Sequence, residues 1–168
     1  MTHVNIEIKA RCADPDKIRG VLRSRGARFA GADHQIDTYF QAPQGRLKLR
    51  EGDIENALIF YERPDQKGPK RSDVVMAATP PQLPIKDVLA RALGVRVIVN
   101  KQREIYFHGN IKFHIDQVHG LGSFVEIEAI GTDENRDELL RQCKEYLELF
   151  GIGEPDLIEG SYGDLLSH

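Results

Sequence analysis

Lysines, arginines and glutamates recur in this chain at every second position, a spacing that gathers them on one face of a β-sheet. Glu7, Lys9 and Arg11 alternate with Ile6, Ile8 and Ala10, and Arg46, Lys48 and Arg50 alternate with Leu47 and Leu49. Farther along, Lys112, His114 and Asp116 alternate with Ile111, Phe113 and Ile115, and Glu126 and Glu128 with Val125, Ile127 and Ala129. Period-two alternation marks a strand whose two faces meet different environments. With Lys101 and Arg103 added, one face collects eight basic side chains against four acidic ones, while the whole chain carries a formal charge of −3. Basic charge concentrated on the strands of a mildly acidic protein implies an anion site. The carboxylates among them are the residue type that holds a hard divalent cation.

The elements that must position these residues follow from caps, turns and spacing. Asp14 followed by Pro15 opens a helix with Ile18, Val21 and Leu22 on its apolar side and Gly26 near its end. A second helix follows Pro84 and carries Val88, Leu89, Ala92 and Leu93 before Gly94. The clearest begins near Asp133, where Leu139, Leu140, Cys143, Tyr146, Leu147 and Phe150 keep helical spacing until Gly151. A short turn or helix is expected from Ser161 to Leu166. Strands are predicted near 3–12, 35–41, 46–51, 56–63, 96–107, 110–117 and 123–130. The polar stretch 64–73 reads as a mobile surface loop, with Lys67, Lys70 and Arg71 solvated. Charges on one face of many strands are costly unless that face is wet or binds a counter-ion. Alternation leaves two arrangements open: an open sheet with a solvated face, or a closed antiparallel barrel with a polar interior.

The length of 168 residues, with 40% hydrophobic and 29% charged residues, fits a single globular domain over 1–168. No apolar run approaches the ~18–20 residues of a membrane span, and the N-terminal residues enter a strand pattern without a leader, so a cytoplasmic protein is expected. The net charge of −3 argues against general nucleic-acid binding. Cys12 and Cys143 stand far apart in no metal-ligand spacing and are expected to be free thiols.

Seven segments occur in an order that resembles the CYTH domain: NIEIK at 5–9, TYF at 38–40, GRLKLRE at 45–51, KQREIYF at 101–107, KFHID at 112–116, GLGSFVEIE at 120–128 and SYGDLL at 161–166. That family includes class IV adenylyl cyclases and thiamine triphosphatases, also called triphosphate tunnel metalloenzymes, and the cyclase branch is the nearer likeness. The resemblance implies an α+β fold built on a closed antiparallel eight-stranded barrel with helices outside, a triphosphate bound inside, Mg²⁺ or Mn²⁺ as cofactor, and a homodimer as a candidate assembly. It assigns triphosphate binding to Lys9, Arg46, Lys48, Arg50, Lys101 and Arg103, and metal binding to Glu7, Glu126 and Glu128. Lys9, Arg103 and Asp116 become the catalytic candidates, with Asp116 matching a family acid that orients a base or a metal-bound water.

Two departures stand out. The family's Glu-x-Glu-x-Lys signature has Asn5 at its first position, which removes one charge from a metal site while keeping an amide oxygen. At Glu62-Arg63-Pro64 relatives place a lysine, and sequence leaves open whether Glu62 or Arg63 faces inward; an inward Arg63 completes the phosphate cradle. His114 shares the parity of Lys112 and Asp116 and is either a tunnel contact or a structural hydrogen-bonding residue. His34, His108 and His119 are expected to be solvated, and Tyr39, Tyr106 and Phe107 to pack. The function implied is a metal-dependent enzyme acting on a triphosphate, with conversion of ATP to cyclic AMP and pyrophosphate as the first specific reading. A triphosphatase for thiamine triphosphate, inorganic triphosphate or a nucleotide, and a triphosphate-binding module without turnover, are the alternatives.

Overall fold

The computed structural model describes residues 2–167. Eight antiparallel strands close into a barrel: β1 (Thr2–Arg11), β2 (Arg28–Phe40), β3 (Arg46–Gly52), β4 (Asn56–Glu62), β5 (Lys70–Ala78), β6 (Val95–His108), β7 (Ile111–Val118) and β8 (Gly122–Gly131). Around the barrel the order is β1-β5-β4-β3-β2-β6-β7-β8, and β8 pairs back onto β1. Closure removes the exposed sheet edges and gives the charged face an interior to line. The helices are α1 (Pro15–Ser24), α2 (Ile85–Leu93), α3 (Arg136–Leu149) and α4 (Tyr162–Leu166). Among the described residues no helix is long and apolar enough to cross a membrane.

Alternation along the strands divides the molecule into two cores. The outward side chains of β1, β7 and β8, among them Ile8, Phe113 and Ile127, are buried under Ile18 and Leu22 of α1 and Leu139, Cys143 and Tyr146 of α3. Each such side chain stabilises the fold by ~1.5–3 kcal/mol through burial. Phe113 meets the Tyr146 ring edge-on at 4.7 Å. Helix α1 starts where its residues predict, with the Asp14 carboxylate accepting from the Lys17 amide. Helix α2 differs: it forms where expected, yet buries none of its side chains.

Strand polarity defines two ends. One is rimmed by the beginnings of β1 and β7 and the ends of β5 and β8. At the other, the chain beyond α3 returns across the opening: the Ile158 amide donates to the Lys9 carbonyl at 2.9 Å, and Ser161 and Tyr162 are buried. Tyr162 joins Tyr39, Val99, Val118 and Phe124 in an apolar cluster that seals this end. The two cysteines are free and buried.

One strand and half of another lie outside the elements predicted from sequence. Residues 70–78, placed partly in a mobile loop, form β5, and Lys70 is buried, its Nζ donating to the carbonyls of Gln66, Ile158 and Glu159 at 2.6–3.2 Å. Both faces of β5 mix polar and apolar residues, inward Lys70, Ser72, Val74 and Met76 against outward Arg71, Asp73 and Val75, so no hydropathy period shows. Strand β2 begins at Arg28 rather than 35, and its register shifts between Phe29 and Gly31. Gly31 has φ +136°, and a Cβ there would lie 2.7 Å from Ile54 Cδ1, so the irregularity needs a residue without a side chain.

Candidate functional site

The barrel interior holds a cavity whose wall carries Lys9 from β1, Lys48 and Arg50 from β3, Lys101 and Arg103 from β6, Lys112 from β7 and Arg63 just beyond β4. Glu7, Glu126 and Glu128 are the carboxylates on the same wall. The register explains the gathering, because Lys9 pairs with Glu126, Glu126 with His114, and Arg103 with Asp116 on successive strands.

Asp37 organises the basic side. Its buried carboxylate accepts two hydrogen bonds from Arg50 at 2.9 Å, one from Lys101 at 2.7 Å, and faces Lys48 at 3.4 Å. Burial alone would raise this carboxyl, but Arg50, Lys101 and Lys48 outweigh it and hold it well below the usual carboxylate range. Lys101 moves the other way: burial lowers it well below an ordinary lysine, with Asp37 opposing and Arg103 and Arg50 adding to the fall. Three cations on one carboxylate leave donor capacity facing the cavity, which is what a polyanion needs.

A second support stands behind Arg103. Its guanidinium makes a two-bond contact with Asp116 at 2.8 and 2.7 Å and reaches Glu126 at 3.3 Å. Tyr162 donates to Asp116 at 2.7 Å and places its ring under the Lys9 ammonium, 3.7 Å from the centroid. Burial and the neighbouring Asp116 charge raise the Tyr162 phenol well above its ordinary pKa, so it stays a donor.

The acidic side carries the donor set for a cation. His114 Nδ1 and the carboxylates of Glu126 and Glu128 offer ligand atoms that all lie within 4.8 Å of one another. Burial, with repulsion from Arg103, pushes His114 down to about 4, so its ring is neutral at pH 7 and able to ligate. Burial also lifts Glu128, against Lys112 but aided by Glu126 and Glu7, up to about 7. Glu126 stays well below the ordinary value, because Lys9 and Arg103 overcome its burial. A carboxylate held part-protonated chiefly by burial, with neighbouring carboxylates adding, is a site short of positive charge, and two carboxylates with a neutral imidazole fit Mg²⁺ or Mn²⁺. Glu7 lies directly across from Glu128 in the β1–β8 register, and its carboxylate pairs with Arg63.

The residues singled out in the sequence are distributed as follows. Lys9, Lys48, Arg50, Arg63, Lys101, Arg103, Glu7, Glu126 and Glu128 line the cavity, and Arg63 rather than the exposed Glu62 is the inward residue. Arg46 lies outside the lining, bound to Asp164 at 3.2 Å, because α4 lies across the end it points to. Asp116 stands behind Arg103 rather than on the wall. Arg11, counted on the basic face, is exposed at the sealed end. Asp37, Glu55, Tyr61 and Tyr162 escaped the sequence reading. Asp37 shares inward parity with Gln35 and Tyr39 and was legible in principle. Glu55, which pairs with Lys112 and Arg50, sits in the β3–β4 turn, and Tyr162 arrives from the far end of the chain, so spacing gives no sign of either. Tyr39, expected to pack, does so and also lines the cavity.

Comparison with known proteins agrees with this architecture. The sequence matches the CYTH domain over residues 3–162. It is 29% identical, over 96% of this chain and 98% of the relative, to the Methanocaldococcus jannaschii protein named "Putative adenylate cyclase MJ0240". The PH1012 protein of Pyrococcus horikoshii OT3 superposes with a TM-score of 0.82 at 25% identity, covering 96% of this chain and 98% of that one. A Vibrio parahaemolyticus protein described as a "putative adenylate cyclase" shares the fold with a TM-score of 0.76 at 20% identity, each chain covered to 98%. With the matched region spanning the barrel and reaching Tyr162, the chain belongs to the CYTH domain family, whose members are metal-dependent, triphosphate-binding proteins of adenylate cyclase or triphosphatase type.

Proposed function

We propose that this protein is a divalent-metal-dependent enzyme that binds a triphosphate inside the barrel and converts ATP to cyclic AMP and pyrophosphate. The observation that carries the reading is the facing of two groups across one cavity: Lys48, Arg50 and Lys101 gathered on Asp37, and Glu126 with Glu128 beside a neutral His114. The name of the Methanocaldococcus jannaschii relative supports cyclisation as the specific reaction.

In this reaction the ribose 3′ oxygen bonds to the α-phosphorus as its hydroxyl proton passes to solvent water or to the departing pyrophosphate, the bond from that phosphorus to the bridging oxygen breaks, and pyrophosphate leaves with its electron pair. Lys9, Lys48, Arg50, Arg63, Lys101 and Arg103 supply the donors that neutralise the pyrophosphate as it forms, from largely buried side chains where reduced screening strengthens each contact. Asp116 keeps the Arg103 guanidinium turned to the phosphates, and Tyr162 keeps Lys9 in place; both act as positioning residues. Glu126 and Glu128, with the neutral His114 beside them, would hold a Mg²⁺ or Mn²⁺ ion, which would supply Lewis-acid polarisation of phosphoryl oxygens. No covalent nucleophile is required.

Product analysis by phosphorus NMR after incubation with Mn²⁺ and, separately, ATP, thiamine triphosphate and inorganic triphosphate tests the proposal. Cyclic AMP with pyrophosphate is the expected result. Orthophosphate release would replace it with a triphosphatase. Tight triphosphate binding without turnover would point to Asn5 as the mark of a tunnel that binds without reacting.

A further inference from the structure

The cavity wall is not charged throughout. Four adjacent strands, β8, β1, β5 and β4, present an uncharged patch between the open rim and the basic cluster: His3 and Asn5 from β1, Ile130 from β8, Val74 and Met76 from β5, and Ile59 from β4. The register makes the patch continuous, with Asn5 between Ser72 and Ile130, His3 beside Val74, and Met76 beside Ile59. Burial lowers the His3 pKa from its ordinary value, with Lys112 adding to the fall, so this ring is neutral at pH 7. The patch carries no charge to hold a triphosphate. It fits whatever the triphosphate is esterified to, because Tyr162 seals the far end and a ligand entering phosphate-first leaves its organic part at the rim.

One atom narrows the chemistry. Asn5 is 4% exposed, and its Oδ1 accepts no hydrogen bond among the described residues. A buried acceptor without a partner costs about 1–3 kcal/mol, which a ligand N–H recovers on binding. We infer that Asn5, with the apolar surface of Val74, Met76 and Ile130, forms a recognition subsite for an amino-substituted heteroaromatic ring carried by the triphosphate, Asn5 Oδ1 accepting from the amine. The inference rests on the ATP reading of the preceding subsection and adds the residue that selects the amine-bearing base. Asn5 thereby acquires a role in specificity at the position where the family signature has a glutamate.

Equilibrium binding by calorimetry without divalent metal, so that turnover does not intrude, separates the contributions. ATP, purine riboside triphosphate, which lacks the amine, and inorganic triphosphate are titrated into the wild type, Asn5→Leu and Met76→Ala. ATP is expected to bind the wild type about tenfold tighter than purine riboside triphosphate, the size of one such hydrogen bond. Asn5→Leu is expected to erase that preference and Met76→Ala to weaken both purine esters several-fold, with inorganic triphosphate unchanged in every variant, which also shows that each variant is folded. Equal affinity of the wild type for the two purine esters, or a parallel loss for all three ligands in Asn5→Leu, overturns the subsite and leaves the triphosphate site standing. A separate Mn²⁺ titration of the wild type and Asn5→Leu completes the test: lost Mn²⁺ affinity with the ATP preference intact also overturns the subsite, since Asn5 is then a metal ligand. If no ligand binds the wild type, either without metal or when the titrations are repeated with Mn²⁺, the triphosphate reading falls and the subsite with it.

Discussion

The ammonium of Lys9 lies 3.7 Å from the centre of the Tyr162 ring. The two residues come from the first strand and the last helix, so the closing of the barrel end and the placing of a phosphate-binding cation are one packing event. The same ring carries the hydroxyl bonded to Asp116, and Asp116 in turn holds Arg103. Tyr162→Phe, which keeps the ring and drops the hydrogen bond, is expected to cost about 1 kcal/mol. Tyr162→Leu is expected to cost about 1–2 kcal/mol more, since a desolvated cation–π contact goes with it. Urea unfolding measures both; a Leu variant as stable as the Phe variant would remove the ring–ammonium contact from the account.

Asp37 has no access to solvent and neutralises part of a three-cation group. Asp37→Asn leaves Arg50, Lys101 and Lys48 with their repulsion uncompensated and is expected to destabilise the protein by about 3–5 kcal/mol, as when one partner of a buried ion pair is removed. The freed cations should then hold an anion more tightly. Thermal unfolding with and without inorganic triphosphate is expected to show a larger stabilisation in the variant than in the wild type. A smaller one would mean that these cations do not face the bound phosphates.

Position in the cavity separates three variants. Lys48→Ala is expected to weaken inorganic triphosphate binding about tenfold, the loss of one charge-assisted contact. Arg46→Ala is expected to leave that affinity within about twofold, because Arg46 is engaged by Asp164 outside the lining, while the anchoring of α4 loosens. Glu126→Gln is expected to abolish metal-dependent turnover and keep triphosphate binding. Calorimetry and product assay on the same preparations check all three; uniform effects across them would dissolve the division of the cavity into an anion wall and a metal wall.

Glu128 and His114 titrate in opposite senses. The folded-state pKa of Glu128 is raised to about 7, so between about 4.5 and 7 the folded protein binds more protons than the unfolded chain, and this group's contribution to stability falls as pH rises. His114 is lowered to about 4, so between about 6.5 and 4 the unfolded chain binds more protons and stability falls as pH falls. In the metal-free protein, Glu128→Gln is expected to remove the loss on the alkaline side of this window and leave the acid-side loss intact. Because a ligating carboxylate must be ionised, Mn²⁺ affinity of the wild type is expected to drop about tenfold per pH unit below 7. A flat affinity between pH 5.5 and 7.5 would exclude Glu128 as a ligand.

Local pattern determined much of this protein. The alternation of Glu7 and Lys9 with Ile6 and Ile8, or of Lys112 and His114 with Phe113 and Ile115, tells which side chains share a face, because a strand's side chains project to opposite sides whatever the surrounding fold. The caps at Asp14 and Gly151 tell where two helices begin and end for a similarly local reason. What alternation left open was whether the charged face meets solvent or itself, since an open sheet and a barrel have the same period. Tertiary structure decided that by closing β8 onto β1. It also decided which charges face which: Asp37 against three cations, Glu7 with Arg63, Arg46 drawn away by Asp164, and Tyr162 brought from the chain's end beneath Lys9. Those partnerships depend on register between strands distant in sequence and on a plug supplied last by the chain, and no local spacing encodes the distance between residues that meet only when the barrel closes.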